Sequence, residues 1–304
     1  MTDTPRATID SGPQPPTRLV VGCGYLGERV ARAWRAAGAR VLTVTRRESR
    51  ARELAAAGFE PVMADVTDPA VDWSDLRAVP DLTTVFWGVG FDGRSGTTHR
   101  DVHVAGLGRL LDALPAGCRV IFSSSTGVWG DEQGRIVDES SPVHPAREAG
   151  RVLVDAEALL RGHARGPGVA LRFAGLYGPG RLPRLEDLRA GRPLAIDPDS
   201  WLNMIHVDDA ARAVCGVADL AKPQPLYVVS DNHPVLRRDW YARLAAAAGG
   251  PPPTFAPPPD GGTSPPRRGQ AADKRVDSSL VWRDLGITPD HPDPLAELAS
   301  LIDS

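Results

Sequence analysis

Two short stretches hold residue types that can do chemistry. In VVGCGYLGERV, Gly22, Gly24 and Gly27 stand at GxGxxG spacing, directly after an apolar run and at the start of an amphipathic pattern. That context suits a strand-to-helix turn around a pyrophosphate. Gly22 permits the tight turn, Gly24 lets the backbone approach the anion, and Gly27 lets helix pack on strand, with Tyr25 and Leu26 between them. N–H groups at the helix start attract the negative charge. In VIFSSSTGVWGDEQ, residues 120–133, an apolar run delivers Ser123, Ser124, Ser125 and Thr126 into a glycine turn, as a strand would deliver hydroxyls to the mouth of a cleft. The same hydroxyls could equally satisfy backbone groups at a strand end.

Further residues extend the first stretch into a dinucleotide site. A cofactor with a free ribose 2'-hydroxyl calls for an acidic residue after the second strand, but the sequence there is TVTRRES. Arg46 and Arg47 replace the carboxylate, and guanidinium groups suit a 2'-phosphate, which favours NADP(H) over NAD(H). The alternative is a solvated arginine pair on a loop. Asp65 and Val66 in MADVTD are placed to face the adenine, and Gly88 in TTVFWGV completes the expected cofactor-binding set.

Such side chains need a frame to position them. From Thr17 onward, β-rich runs alternate with helical patterns, the signature of βαβ units feeding a parallel sheet. Strands are expected at 18–23, 39–45, 59–65, 83–89, 118–124 and 168–174, with a further one at 225–231 returning to the same sheet. Apolar stripes predict helices over Leu26–Ala37, Val102–Leu114, Ala149–Leu160 and residues 206–220. The expected organisation is a tail over 1–16 and a nucleotide-binding domain over 17–175, joined by 205–231. A smaller substrate lobe takes 176–204 and 232–304, with a Pro/Gly-rich connector at 249–269.

Composition narrows the function. The 304 residues are 42% apolar, enough for a sizeable core, and carry a net charge of -3 with interspersed signs. Neither a nucleic-acid binder nor a membrane anchor is expected. Cys23, Cys118 and Cys215 are far apart, without CxxC or histidine at ligand spacing. They point to no metal, no disulfide framework and a reducing cytoplasm.

Taken together, FSSSTGVWGD, LRFAGLYGPGR (171–181), NMIHVDDAARAV (203–214) and DKRVDSSLVWRDLGI resemble the NAD-dependent epimerase/dehydratase family, the extended short-chain dehydrogenase/reductases. The resemblance implies a Rossmann-type doubly wound α/β sheet with a small C-terminal substrate lobe. It places Ser125 on the family's catalytic serine or threonine. Val207 and Asp208 fall on a motif that pins the lobes together, and Arg181 on a position that can meet a substrate phosphate.

The pattern breaks where the family carries a Tyr and, four residues later, a Lys. Counted back from Glu157, those positions are Ala149 and Leu153. Independently of alignment, no lysine precedes Lys222 and no tyrosine lies between Tyr25 and Tyr177. Of the groups near the site, His144 and His103 are the better proton donors on chemistry alone, because unperturbed histidine titrates near neutrality. A lone histidine is also an ordinary hydrogen-bonding residue.

The expectation is an NAD(P)-dependent oxidoreductase or epimerase, NADP(H) favoured, acting on a small or nucleotide-linked carbonyl or hydroxyl substrate. Ser125 and Thr126, with His144 or a water-borne proton, would carry the chemistry. The alternative is a catalytically silent NADP(H)-binding sensor or partner subunit. The assembly is expected to be a monomer or a homodimer.

Overall fold

The computed structural model describes residues 15–164, 166–256 and 273–302. The expected tail over 1–16 lies almost wholly outside these residues, and so does most of the connector over 249–269.

Chain order runs β1 (Thr17–Val21), α1 (Tyr25–Ala36), β2 (Arg40–Thr45), α2 (Glu48–Ala56), β3 (Glu60–Met63), β4 (Leu82–Trp87), α3 (Leu107–Ala113) and β5 (Arg119–Ser125). Then follow β6 (Ile136–Val137), α4 (Glu148–Gly162), β7 (Gly168–Phe173), β8 (Gly175–Tyr177), α5 (Leu185–Arg189), β9 (Leu194–Ala195), β10 (Trp201–Leu202) and β11 (Met204–His206). The last elements are α6 (Val207–Asp219), β12 (Leu226–Val229), β13 (Val235–Leu236), α7 (Arg237–Ala247), β14 (Phe255–Ala256), β15 (Arg275–Val276), α8 (Ser279–Leu285) and α9 (Pro294–Leu301).

Seven strands form the central sheet in the order β12-β7-β5-β4-β1-β2-β3, every pair parallel. Parallel strands covered on both faces read as near-continuous apolar runs. Leu19, Val20 and Val21 of β1, and Val85, Phe86 and Trp87 of β4, are accordingly fully buried. One face is closed by α1 and α6 through Val30, Trp34, Ala210 and Val214. The other is closed by α3 and α4 through Leu107, Leu110, Ala156 and Leu160. A further core, with Tyr177, Leu188, Trp240, Leu244 and Leu298, lies under α5, α7 and α9.

All seven expected sheet strands form, but β3 and β4 stop two residues short of the runs read from sequence. Asp65 and Gly88 therefore lie beyond strand ends, on the loops at the carboxyl edge. The second expected helix also differs. It opens as a π-helical turn, Asp101–Gly106, before α3 begins. At Gly106 an added Cβ would sit 2.7 Å from the Val66 carbonyl oxygen, so the wide turn brings backbone against backbone there. Among the described residues no helix is long and apolar enough to cross a membrane.

Candidate active site

Strand order reverses at β1, whose neighbours are β4 and β2, and such a switch point leaves a crevice outside the carboxyl ends of the strands. A cleft of about 700 Å³ opens there, lined by the glycine loop, Thr45–Arg47, Asp65–Thr67, Gly88 and Ser123 among others. Gly22, Gly24, Tyr25, Leu26, Arg46, Arg47, Asp65, Val66 and Gly88 all line this cleft.

Each glycine of the loop has its own physical reason. Gly22 has φ +92°, and a Cβ on it would meet the Val89 nitrogen at 2.6 Å. Gly27 packs so closely on the loop that a Cβ would lie 2.2 Å from the Gly22 oxygen. At Gly24 a Cβ would find nothing within 4 Å, so that position faces open space in the cleft. Bare backbone facing a cradle at a helix start is the arrangement that receives a pyrophosphate, and the donor set fits a dinucleotide.

The arginines are not equivalent. Arg46 donates to Asp92 at 3.0 Å and lies 3.8 Å from Asp65. Arg47 has no carboxylate partner among the described residues and is exposed on the cleft wall. A third guanidinium, Arg50, escaped the sequence reading although it follows Arg46 at helical i,i+4 spacing. It bonds the carboxylates of Glu28 and Glu53 and reaches the Cys23 carbonyl at 3.3 Å, tying α2 to the glycine loop. Partial burial alone would raise the Asp65 carboxyl. Hydrogen bonds from the Thr67 N–H (2.9 Å) and hydroxyl (2.7 Å), with the nearby Arg46 charge, hold it below its ordinary value instead.

On β5, alternate residues share a face. Ser123 lines the cleft, and Ser125 stands on the same side one step further out. The Ser125 Oγ accepts the Gly127 N–H at 3.1 Å, capping the single turn Thr126–Val128, and it keeps its own O–H to donate. Ser124 points to the other face and donates to the buried Glu157 at 2.6 Å. Glu157 in turn holds Arg172 in a two-pronged pair at 3.0 and 2.7 Å, and that guanidinium lies 4.8 Å over the Trp129 ring. This strut joins β5, α4 and β7. Arg172 carried no signal in the sequence, because the strand around it reads as wholly apolar.

The first turn of α4 packs against the loop after the serines. A Cβ on Gly150 would lie 2.6 Å from the Gly127 carbonyl oxygen. Ala149 is thus held beside that loop, while Leu153 packs into apolar surroundings. His144 is exposed, and its backbone carbonyl rather than its ring abuts Gly130. His103 is buried in the π-helical turn, where burial, helped by His99, pushes it down to about 4. At neutral pH it is therefore the uncharged imidazole and not an imidazolium acid. Arg181 lies 5.4 Å over the Tyr25 ring on the cleft wall. Ser125, Thr126 and His144 do not themselves line the cleft around the glycine loop.

Known proteins share this fold. A family model described as the NAD-dependent epimerase/dehydratase family matches residues 18–229. Protein YeeZ of Escherichia coli K12 is 29% identical over 283 residues, covering 91% of this chain and 96% of that protein. A functionally unknown conserved protein from Silicibacter pomeroyi superposes with a TM-score of 0.74 at 26% identity, covering 94% of this chain and 98% of the other. UDP-glucuronic acid 4-epimerase from Bacillus cereus, solved with UDP-glucuronic acid and NAD, gives a TM-score of 0.76 over 94% of this chain and 99% of the other. At 18% identity that likeness is one of fold.

Proposed function

This chain belongs to the NAD-dependent epimerase/dehydratase family, and from that premise we propose that it is an NAD(P)-dependent oxidoreductase of the epimerase type. Its substrate is a small or nucleotide-linked molecule with a carbonyl or hydroxyl group. The observation that carries the reading is the open backbone at Gly24, flanked by two glycines that the packing requires. Residues of the glycine loop hold the pyrophosphate, Asp65 and Val66 border the adenine, and Arg47 leads the arginines towards a 2'-phosphate, which favours NADP(H) over NAD(H). The dinucleotide, when bound, supplies hydride acceptance or donation.

The chain's own groups orient the substrate. Ser125, its oxygen engaged by Gly127 N–H, directs its O–H to the substrate oxygen. Thr126 borders the same turn. The proton travels by a non-standard route, through His144 or solvent, because Ala149 and Leu153 occupy the positions of the family's tyrosine and lysine. We place the protein in the cytoplasm as a monomer or homodimer, acting without nucleic acid or membrane.

Calorimetric titration with NADPH and NADH tests the reading. Tight binding of NADPH over NADH supports it, and binding of neither reduces the glycine loop to scaffold. Ser125→Ala is expected to lower turnover about a hundredfold with cofactor affinity kept, the scale of a lost reaction-centre donor. Unchanged turnover removes Ser125 from the mechanism. The second reading, a silent NADP(H) sensor, is favoured by Ala149 standing where an acid would act. It requires a partner whose affinity differs between NADPH and NADP.

A further inference from the structure

His206 and His291 are far apart in the sequence, yet the fold lays one ring against the other, with centroids 3.8 Å apart and planes tilted by 36°. Asp208 completes the group: one nitrogen from each histidine and one carboxylate oxygen all lie within 4.8 Å of one another. Among the described residues no other set of three histidine, cysteine or acidic side chains converges closely enough to hold an ion. Each ligand is set by its own surroundings. His206 ends β11 and caps α6, is only 2% exposed, and meets the Tyr177 ring edge-on at 5.2 Å. Its Nδ1 accepts the Asp208 N–H at 3.3 Å and lies 3.8 Å from Asp208 Oδ2. A nitrogen lone pair is thus already turned towards the carboxylate, and the long cap bond is the one an ion replaces.

His291 comes from the segment between α8 and α9, and Asp209 holds that segment in place. The fully buried Asp209 carboxylate accepts the N–H groups of Asp290 and His291, both at 2.8 Å. The His291 Nδ1 is buried without a hydrogen-bond partner among the described residues, although Glu297 Oε2 stands 3.3 Å away. A carboxylate behind an imidazole is the arrangement that orients a metal-bound histidine. Asp208 is half exposed. Its Oδ1 accepts Arg29 at 2.7 Å, which leaves Oδ2, the oxygen nearer His206, to coordinate. Charge favours a cation as well. Asp208 and Asp209 are each met by an arginine, Arg29 and Arg212, whereas the ion-pair partner of Glu297 among the described residues is His291 itself.

We propose that His206, Asp208 and His291 bind a divalent transition-metal ion, zinc in the first place, with water as the fourth ligand. Two imidazoles and one carboxylate form a zinc set, whereas calcium and magnesium take oxygen ligands. Zinc ligands at about 2.0–2.2 Å stand about 3.4 Å from one another around a tetrahedron, so the three donors close by about 1 Å on binding. The half-exposed Asp208 side chain and the partly exposed His291 ring supply that movement, while buried His206 stays in place. The ion ties the segment before α9, which belongs to the second core, to the start of α6 on the central sheet. None of the three ligands lines the dinucleotide cleft, so the site stands apart from the coenzyme reading.

Zinc chloride, titrated calorimetrically into the full chain after treatment with EDTA and removal of the chelator, is the probe. Saturable binding of one ion per chain is expected, weakened about tenfold or more in His291→Ala and in Asp208→Asn. His233→Ala, which removes an exposed histidine outside the group, should bind as the wild type does. Zinc should also raise the melting temperature of the wild type and leave that of His291→Ala where it was, because only a folded site gains from the ion. If His291→Ala melts too low to titrate, Asp208→Asn decides the matter. Cobalt(II) in place of zinc should give the strong visible absorption of a four-coordinate ion, lost in the same variants. Absence of saturable zinc binding, binding unchanged in His291→Ala and Asp208→Asn, or binding that His233→Ala abolishes overturns the proposal and leaves the two rings as packing.

Discussion

Replacing Gly24 with alanine adds a methyl to open space in the cleft, whereas the same change at Gly27 drives a Cβ to within 2.2 Å of a backbone oxygen. The two variants should therefore separate binding from stability. Gly24→Ala is expected to melt as the wild type does and to bind dinucleotide at least about tenfold more weakly. Gly27→Ala should cost about 3 kcal/mol of stability, the upper range for overpacking. Thermal melts beside dinucleotide titrations check both, and a destabilised Gly24→Ala would place that glycine in the packing instead. Arg46 and Arg47 separate in the same way. Arg46 is held by Asp92 and Asp65, so Arg47→Ala should weaken NADPH binding more than Arg46→Ala does, by about tenfold or more, with NADH little affected. Equal losses for the two coenzymes would show that neither arginine meets a 2'-phosphate.

At the scale of elements, β5, α4 and β7 are tied by one buried group of three side chains. Glu157 satisfies Ser124 and Arg172 at once, and all three are almost fully buried. Glu157→Ala strands a guanidinium in the interior and should cost roughly 3–5 kcal/mol in denaturant unfolding. Glu157→Leu combined with Arg172→Met removes both charges and should recover most of that loss, as buried pairs often tolerate. If the double variant is no more stable than the single one, the strut contributes through something other than charge compensation. The strut also explains how a strand bearing three serines keeps its register: the middle serine is bonded inward, which sends Ser123 and Ser125 to the cleft side.

At the scale of the molecule, the sheet and the second core meet at Asp231, just past β12. Its N–H bonds the Met204 carbonyl at 2.9 Å, and its Oδ1 accepts the His233 N–H at 2.9 Å. Burial, with Asp293 and Asp209 nearby, outweighs that bond and pushes the carboxyl up to about 8. Folded Asp231 thus keeps its proton up to about pH 8, while the unfolded chain releases it near pH 4. The native state binds more protons across that window, so this group's contribution to stability falls as pH rises from about 4 to 8. Asp231→Asn should flatten the decline by a few kcal/mol, read from melts at pH 5 and 8. An unchanged slope would mean that Asp231 is ionised in the folded protein.

The sequence by itself determined the order of the seven sheet strands, four of the helices and the place of the glycine loop, because those signals are local: apolar runs, helical stripes and three glycines at fixed spacing. It also determined what is missing, since no tyrosine or lysine exists in the stretch around the serines. Tertiary structure decided everything that depends on distant partners. It engaged Arg46 with carboxylates and left Arg47 without one among the described residues, added Arg50 to the cleft, and hid Arg172 against Glu157 from an otherwise apolar strand. It opened the second helix with a π turn where Gly106 meets Val66, and it carried Lys274 across 145 positions to the carbonyl of Trp129. Local pattern records which face of an element is buried, but charge compensation is settled between elements, and only the folded chain brings those charges together.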